Sequence, residues 1–306
     1  MLRLTTDKKI DIMDAKNAPS ARCKSGDTVL FETLDCYDCS VTRQGERLKI
    51  DRMHNPATGP LFVEGAEAGD ALKVEIIKIT TRDWGAMGTS FGEFGFKNVQ
   101  GSDHSMHVYD IKDGVVRAGG FDIPVDNMIG VIGVAPAGEG VLTVTPGALQ
   151  GAWDTDTPHR HGGNMDNRTI GEGCTVYFPV GQDGAYFGLG DVHGLMGDGE
   201  VFGYGLEVSG EVTVRVTAVK GMKLEQPLLI EGGDAMTVAS GETMQEATEK
   251  ALESMYHLLR QCGQAEGEAG ILMSMVCNIA LCQMVNPLFT VRAEMPARML
   301  EKVIKG

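Results

Sequence analysis

The chain has 306 residues, 42% of them hydrophobic, which argues against disorder and allows a core that needs no disulfides. Its 27 basic and 42 acidic side chains give a net charge of −15 at pH 7, a field that repels phosphate backbones and anionic lipids and so disfavours nucleic-acid or membrane partners. No stretch reaches the roughly 18 apolar residues of a membrane span, the N-terminal stretch lacks a signal-peptide core, and seven scattered cysteines read as a reduced, cytoplasmic protein.

Glycine is over-used, at 41 of 306 residues and with no three-residue period, which points to many turns in a β-rich chain. Asp27 to Thr33 alternates polar with apolar, as does Leu72 to Ile79 with one slip at Ile76-Ile77, and Val212 to Val216 is another clean run. Period-two alternation predicts half-buried antiparallel strands. Near residue 240 the texture changes. Thr243-Met-Gln-Glu246 is a capping box, followed by Met244, Ala247, Ala251, Met255 and Leu258 at helical spacing, with Gly263 as the stop. Ile271 to Val285 is apolar on nearly every face and reads as a buried helix, and Leu288 to Met295 reads as a closing strand. The expected class is α+β, predominantly β: a β-sandwich-like body over residues 1–235, with a helix-helix-strand segment over 236–306 packed on it or continuous with it.

Three polar clusters carry the candidate chemistry. His54-Asn-Pro-Ala-Thr-Gly-Pro60 to Glu64-Gly65 has two prolines and a glycine, read as a rigid turn flanked by His54 and Glu64, where a ligand or a base would sit. His161-Gly162-Gly163-Asn164-Met-Asp166-Asn167-Arg168 places donors and acceptors beside two glycines that let a backbone approach a ligand; the alternative is an Asx turn. Asp191-Val-His193 and Asp198-Gly-Glu200 read as the two sides of a hairpin looping near Gly194 to Gly197. Side chains two apart share a strand face, so one imidazole and several carboxylates would converge. Such a set suits a divalent cation, zinc by virtue of the histidine, with calcium as the oxygen-only option. The alternative is a solvated acidic loop tip.

Other signals lack context. Gly88-Thr-Ser90-Phe-Gly92 matches a nucleophile elbow, but Gly95 argues against the helix that must follow. Cys36-Tyr-Asp-Cys39 has no second cysteine pair at zinc spacing, since Cys277 and Cys282 are loosely spaced in an apolar run. Cys174 precedes an apolar strand and reads as core, with a nucleophile as the alternative.

Taken in order, these clusters resemble the acetamidase/formamidase family of amide hydrolases. The matching pieces are Asn55 to Pro60 with Val63-Glu-Gly-Ala66, Gly130 to Pro136, His161 to Asn167, Gly190 to His193 with Gly197 to Glu200, Gln283 to Pro287, and Thr290-Val-Arg292. Thr157-Pro-His-Arg-His161 and Cys36-Tyr-Asp-Cys39 depart from the family pattern. The resemblance covers about residues 25–300 and implies hydrolysis of a small linear amide such as formamide or acetamide, with release of ammonia, by a homo-oligomer (dimer or larger). The clusters then become the expected site. Asp166, Asp191, His193 and Asp198 would hold the metal and lower the pKa of bound water towards about 7. Glu64 or Glu200 would act as base beside Asp166, and Asn164 with the Gly162-Gly163 amides would donate to the oxyanion, next to His54 and His161. A metal-free variant would use Cys174 as nucleophile. A non-catalytic binding protein that keeps the family shell is the alternative function.

Overall fold

The computed structural model describes residues 1–51, 53–138 and 153–305. Alternation along the predicted strands builds two large sheets, of nine and eleven strands among the described residues. The first runs Leu2–Leu4, Thr28–Thr33, Gly210–Val219, Ala71–Thr81, Thr175–Pro179, Leu228–Glu231, Asp234–Gly241, Phe289–Pro296, Asn278–Gln283. The slip in the period at Ile76-Ile77 is a β-bulge. Thr213 pairs with Lys78 and Val214 with Ile76, so Ile76 is buried while Ile77 is skipped and turns outward.

The second sheet is organised around Phe187–His193, whose seven residues are all buried. Met128–Gly133 pairs along one side of it. On the other side its partner changes midway: Gly190 lies opposite Ala57 of Ala57–Glu64, but Val192 lies opposite Val208 of Glu207–Val208. Asp191 sits at the exchange with φ of 55°, a left-handed conformation inside a strand.

The main core lies between the sheets. Phe31 and Phe178 of the first meet Phe187 of the second, with ring centroids 5.6 and 6.3 Å apart. Helix α1 (Met244–Gln261) covers the other face of the first sheet, burying Met255, Leu258 and Leu259 against Tyr177, Leu228, Ala235 and Met295. Half of the predicted capping box forms: Thr243 Oγ1 accepts from the Glu246 amide at 3.1 Å, while Glu246 Oε2 accepts from the amide of Glu242, one residue before the cap, at 2.8 Å. The predominantly β, α+β class holds. Strand Asp234–Gly241 crosses position 235 and pairs on both sides, so the first sheet is continuous there.

Three local expectations change. Residues 271–285 are not one buried helix. Helix α2 (Glu266–Val276) stops at Cys277, whose ψ of 125° is extended, and Asn278–Gln283 becomes a strand against Phe289–Pro296. An apolar run does not distinguish a strand from a helix by its period. Within α2 only Ala269 is buried. Ala57–Glu64 is a strand rather than part of a rigid turn, with Pro60 beside the point where pairing to Phe187–His193 skips a residue and no ladder amide is needed. Finally, Asp198 and Glu200 do not lie on a hairpin strand. The connection runs from Gly194 to Leu206, and the strand that pairs with His193 is Glu207–Val208.

Candidate metal centre

The partner exchange at Asp191 shapes the site. Asn55, Asp166, Asp191 and Glu200 all have positive φ (44°, 38°, 55° and 47°). Non-glycine residues in this region cost of order 1–3 kcal/mol each and concentrate where function requires them. The three acids gather about the His193 imidazole, and Asn55 Nδ2 donates to Asp191 Oδ2 at 3.4 Å. His193 Nε2 lies 3.3 Å from Asp191 Oδ1 and 2.9 Å from Glu207 Oε1, and Nδ1 lies 4.0 Å from Asp166 Oδ1. All five acidic and imidazole groups are at most 6% exposed. Donor atoms of Asp166, Asp191 and His193 lie within 4.8 Å of one another, as do those of His193, Glu200 and Glu207, and those of Cys36, Asp191 and Glu207.

Glycine makes room for the cluster. A Cβ on Gly130 would fall 2.4 Å from Asp166 Oδ1 and 2.5 Å from Asp191 Oδ2, and one on Gly205 would fall 2.5 Å from His193 Nδ1. Supports fix the acids from outside. Asn286 Nδ2 donates to Asp166 Oδ2 at 2.7 Å and to the Asn164 carbonyl at 2.8 Å. Asn286 is itself placed by the buried Gln283, whose Oε1 accepts the Val285 and Asn286 amides.

Four carboxylates around one imidazole are overcharged. Burial, reinforced by the Asp191 charge, pushes Asp166 up to about 7. Burial pushes Glu207 up to about 8, against the opposing pull of His193, and raises Glu200 well above the carboxylate range with help from Asp166. Burial would lower His193, but Glu207 and Asp191 outweigh it and hold the imidazole well above its usual range. Burial and the same carboxylates push the Cys36 thiol up. Asp166 Oδ1, Asp191 Oδ1, Glu200 Oε2 and Asn164 Oδ1 make no well-formed hydrogen bond. Buried polar atoms are rarely left so, and several such acceptors crowded about one imidazole suit a bound cation. The donor set of one imidazole and carboxylates fits a divalent one.

A cavity of about 390 Å³ opens onto the cluster, lined by Tyr37, Phe94, Asn164, Glu200, Tyr204 and Asn286 among others, a volume for a small ligand. The structure therefore brings together Asp166, Asp191, His193, Glu200 and Asn164. His54 stands at the rim, paired with Asp156. Asp198 is drawn away from the cluster by Arg292, whose Nη1 and Nη2 donate to its two oxygens at 2.7 and 2.8 Å. Glu64 is exposed at the far end of its strand, roughly 23 Å from Ala57 at about 3.3 Å per residue. Gly162 and Gly163 do not line the cavity. They permit tight backbone packing, since a Cβ on Gly162 would meet the Ile132 carbonyl at 2.2 Å and one on Gly163 the Thr157 carbonyl at 2.4 Å. His161 is buried beside Trp153 and lines a different, smaller pocket. Cys174 is in the main core, its thiol pushed up to about 12 by burial. Glu207 was not anticipated. Its signal is a lone acid between Leu206 and Val208, opposite His193, and it is legible only once the pairing is known.

Site and fold together define a β-rich protein with a buried carboxylate–imidazole cluster, a candidate cation site. The model of the acetamidase/formamidase family matches residues 15–145 and 143–301, and the chain belongs to that family. It is similar to a Bacillus halodurans acetamidase of known structure, with a TM-score of 0.90 and 38% identity over 99% of both chains. It is also 29% identical over 213 residues to a formamidase of Methylophilus methylotrophus, covering 53% of this chain and 51% of that one. A Delftia acidovorans gamma lactamase, at 19% identity and a TM-score of 0.62 over 95% of this chain and 89% of that one, shares the fold. The match spans 64% of the length of a Schizosaccharomyces pombe relative with a provisional formamidase name, and about half of the Methylophilus protein, so the chain spans less than two thirds of these curated relatives. No helix among the described residues is long and apolar enough to cross a membrane.

Proposed function

We propose that this protein hydrolyses small linear amides of the formamide or acetamide type, releasing ammonia and a carboxylate, around a divalent cation. The observation that carries the reading is the buried, overcharged acidic cluster at the floor of a cavity sized for a small molecule. Family membership supplies the substrate class. Zinc is the preferred ion, because an imidazole among the donors favours a borderline metal over calcium.

Asp166, Asp191 and His193 would hold the ion, with Glu207 fixing the imidazole. Bound there, a divalent cation supplies Lewis acidity, which polarises a carbonyl and makes water more acidic. Glu200 is the preferred base. Glu200 lines the cavity, and with a cation bound beside it to offset the effect of burial its carboxylate would take a proton from the attacking water and deliver it to the departing nitrogen. Asn164 faces the same cavity and is placed to donate to the carbonyl oxygen as charge builds there. Asp166, Asn164 and Asn286 form one hydrogen-bonded unit that fixes the substrate side. Tyr37, Phe94 and Tyr204 narrow the cavity and limit the acyl group.

We further propose self-association into a dimer or larger oligomer, supported by the exposed apolar side chains Ile271, Met275 and Ile279 on one edge. Seven free cysteines support a reducing, cytoplasmic location. The test is metal analysis of untagged protein by mass spectrometry, with ammonia release from an amide panel before and after chelation. Near-stoichiometric zinc and chelator-sensitive release are expected. Release that persists in metal-free protein would remove the cation from the mechanism.

A further inference from the structure

The Cys36-Tyr-Asp-Cys39 pair takes no part in the roles assigned above, and its two sulfurs face different surroundings. The loop is pinned by Asp35, fully buried, whose Oδ1 accepts the Tyr37 and Cys39 amides at 3.1 and 2.8 Å and whose Oδ2 accepts from Arg82 at 2.8 Å. The Cys36 amide donates to Glu207 Oε2 at 3.2 Å. These restraints seat the Cys36 side chain at the cavity floor, where its Sγ lies within 4.8 Å of oxygens of Asp191 and Glu207. Cys39 sits instead against Asp35 and Ser209.

A second observation points to a ligand here. Asp191 is 2% exposed and its Oδ1 has no hydrogen-bond partner, although Asp191 belongs both to the Cys36 group and to the group with Asp166 and His193. A carboxylate with two oxygens can bridge two ions, as in the two-metal sites of several hydrolase classes. We infer that Cys36 is a metal ligand, its thiolate joining Asp191 and Glu207 around a second cation beside the one held by Asp166, Asp191 and His193, with the Asp191 carboxylate shared between them. This rests on the metal reading of the proposed function. Binding sends the thiol proton to solvent. A thiolate among carboxylates selects zinc or another thiophilic divalent ion over magnesium or calcium.

The experiment titrates cobalt(II) into the full-length, metal-stripped protein. Wild type should bind two equivalents by mass spectrometry and show thiolate-to-cobalt charge-transfer absorption in the near ultraviolet. Cys36→Ser should keep one equivalent and lose that absorption, whereas Cys39→Ser should keep both. Cobalt bound to wild type without a thiolate band overturns the inference without recourse to any variant, as does a Cys36→Ser protein that retains two equivalents and the band. No cobalt bound to wild type at all overturns the underlying metal reading together with it, so the two failures are distinct.

Discussion

His193 is surrounded on three sides by carboxylates and is 1% exposed, so its charge and its ligand capacity are spent within the cluster. His193→Ala should remove metal and turnover together, with a loss in kcat of roughly 10³-fold or more, several kcal/mol of lost transition-state stabilisation. Full metal content with unchanged turnover would end its role. Glu207→Gln keeps the shape but weakens the partner of the imidazole, and metal affinity should fall by about 10- to 100-fold in a chelator competition. His161 makes a separate prediction, on stability. Burial and the neighbouring His159 push it down to about 3, whereas the unfolded chain titrates near 6.5. The unfolded state therefore takes up a proton between those values that the folded state refuses. Stability is whole above about pH 6.5 and drains away as pH falls towards 3, by up to about 5 kcal/mol. His161→Gln should flatten this part of the pH profile in denaturant titrations; a slope identical to wild type would show that His161 does not carry it.

Within single elements, the site depends on a strand that changes partners at Asp191 and on glycine where side chains crowd. Gly130→Ala would drive a methyl into Asp166 and Asp191, so it should destabilise the protein by about 1–3 kcal/mol and depress metal affinity together. A variant with wild-type metal content and melting temperature would show that the cradle yields. How much of this was legible in the sequence follows from the same geometry. The bulge at Ile76-Ile77 and the capped α1 show themselves because local periodicity and local caps suffice to specify them. Asp191 and His193 show themselves because strand alternation puts them on one face, whereas Asp166 and Glu200 were singled out only as members of polar clusters, and the hairpin expected to carry Glu200 does not form. Glu207 and Cys36 enter through strand register and a distant loop pinned by Arg82, and Asp198 leaves because Arg292, ninety-four positions away, captures it. None of these three has a local signature. The strand Asn278–Gln283 was hidden for a different reason: six mostly apolar residues have no period that separates strand from helix, and only pairing with Phe289–Pro296 decides.

For the whole molecule, the nine-stranded sheet ends at Asn278–Gln283. The end of that strand is covered where Gly199 bridges Gln283 and donates to the Cys282 carbonyl at 2.8 Å, but the beginning carries Ile279 at 46% exposure next to Met275 at 73% and Ile271 at 48% on α2. An open strand edge beside a bare apolar helix face is a surface that proteins normally cover. The self-association proposed above would cover it, since an edge strand and its flanking helix can pair with their own copies across a two-fold axis. Long-range repulsion between chains of net charge −15 acts over only about 8 Å at physiological salt, so it slows encounter more than it opposes a packed contact. Met275→Asp alters a side chain that supports nothing in its own fold and would bury a charge in the contact. It should therefore leave the melting temperature of the isolated chain nearly unchanged while shifting the mass in light scattering towards the monomer, by a dissociation constant raised at least about 10-fold. A wild-type oligomer whose mass ignores Met275→Asp would place the interface elsewhere, and a wild type already monomeric at micromolar concentration would remove the oligomer from the account while leaving the metal centre, built wholly within one chain, as it stands.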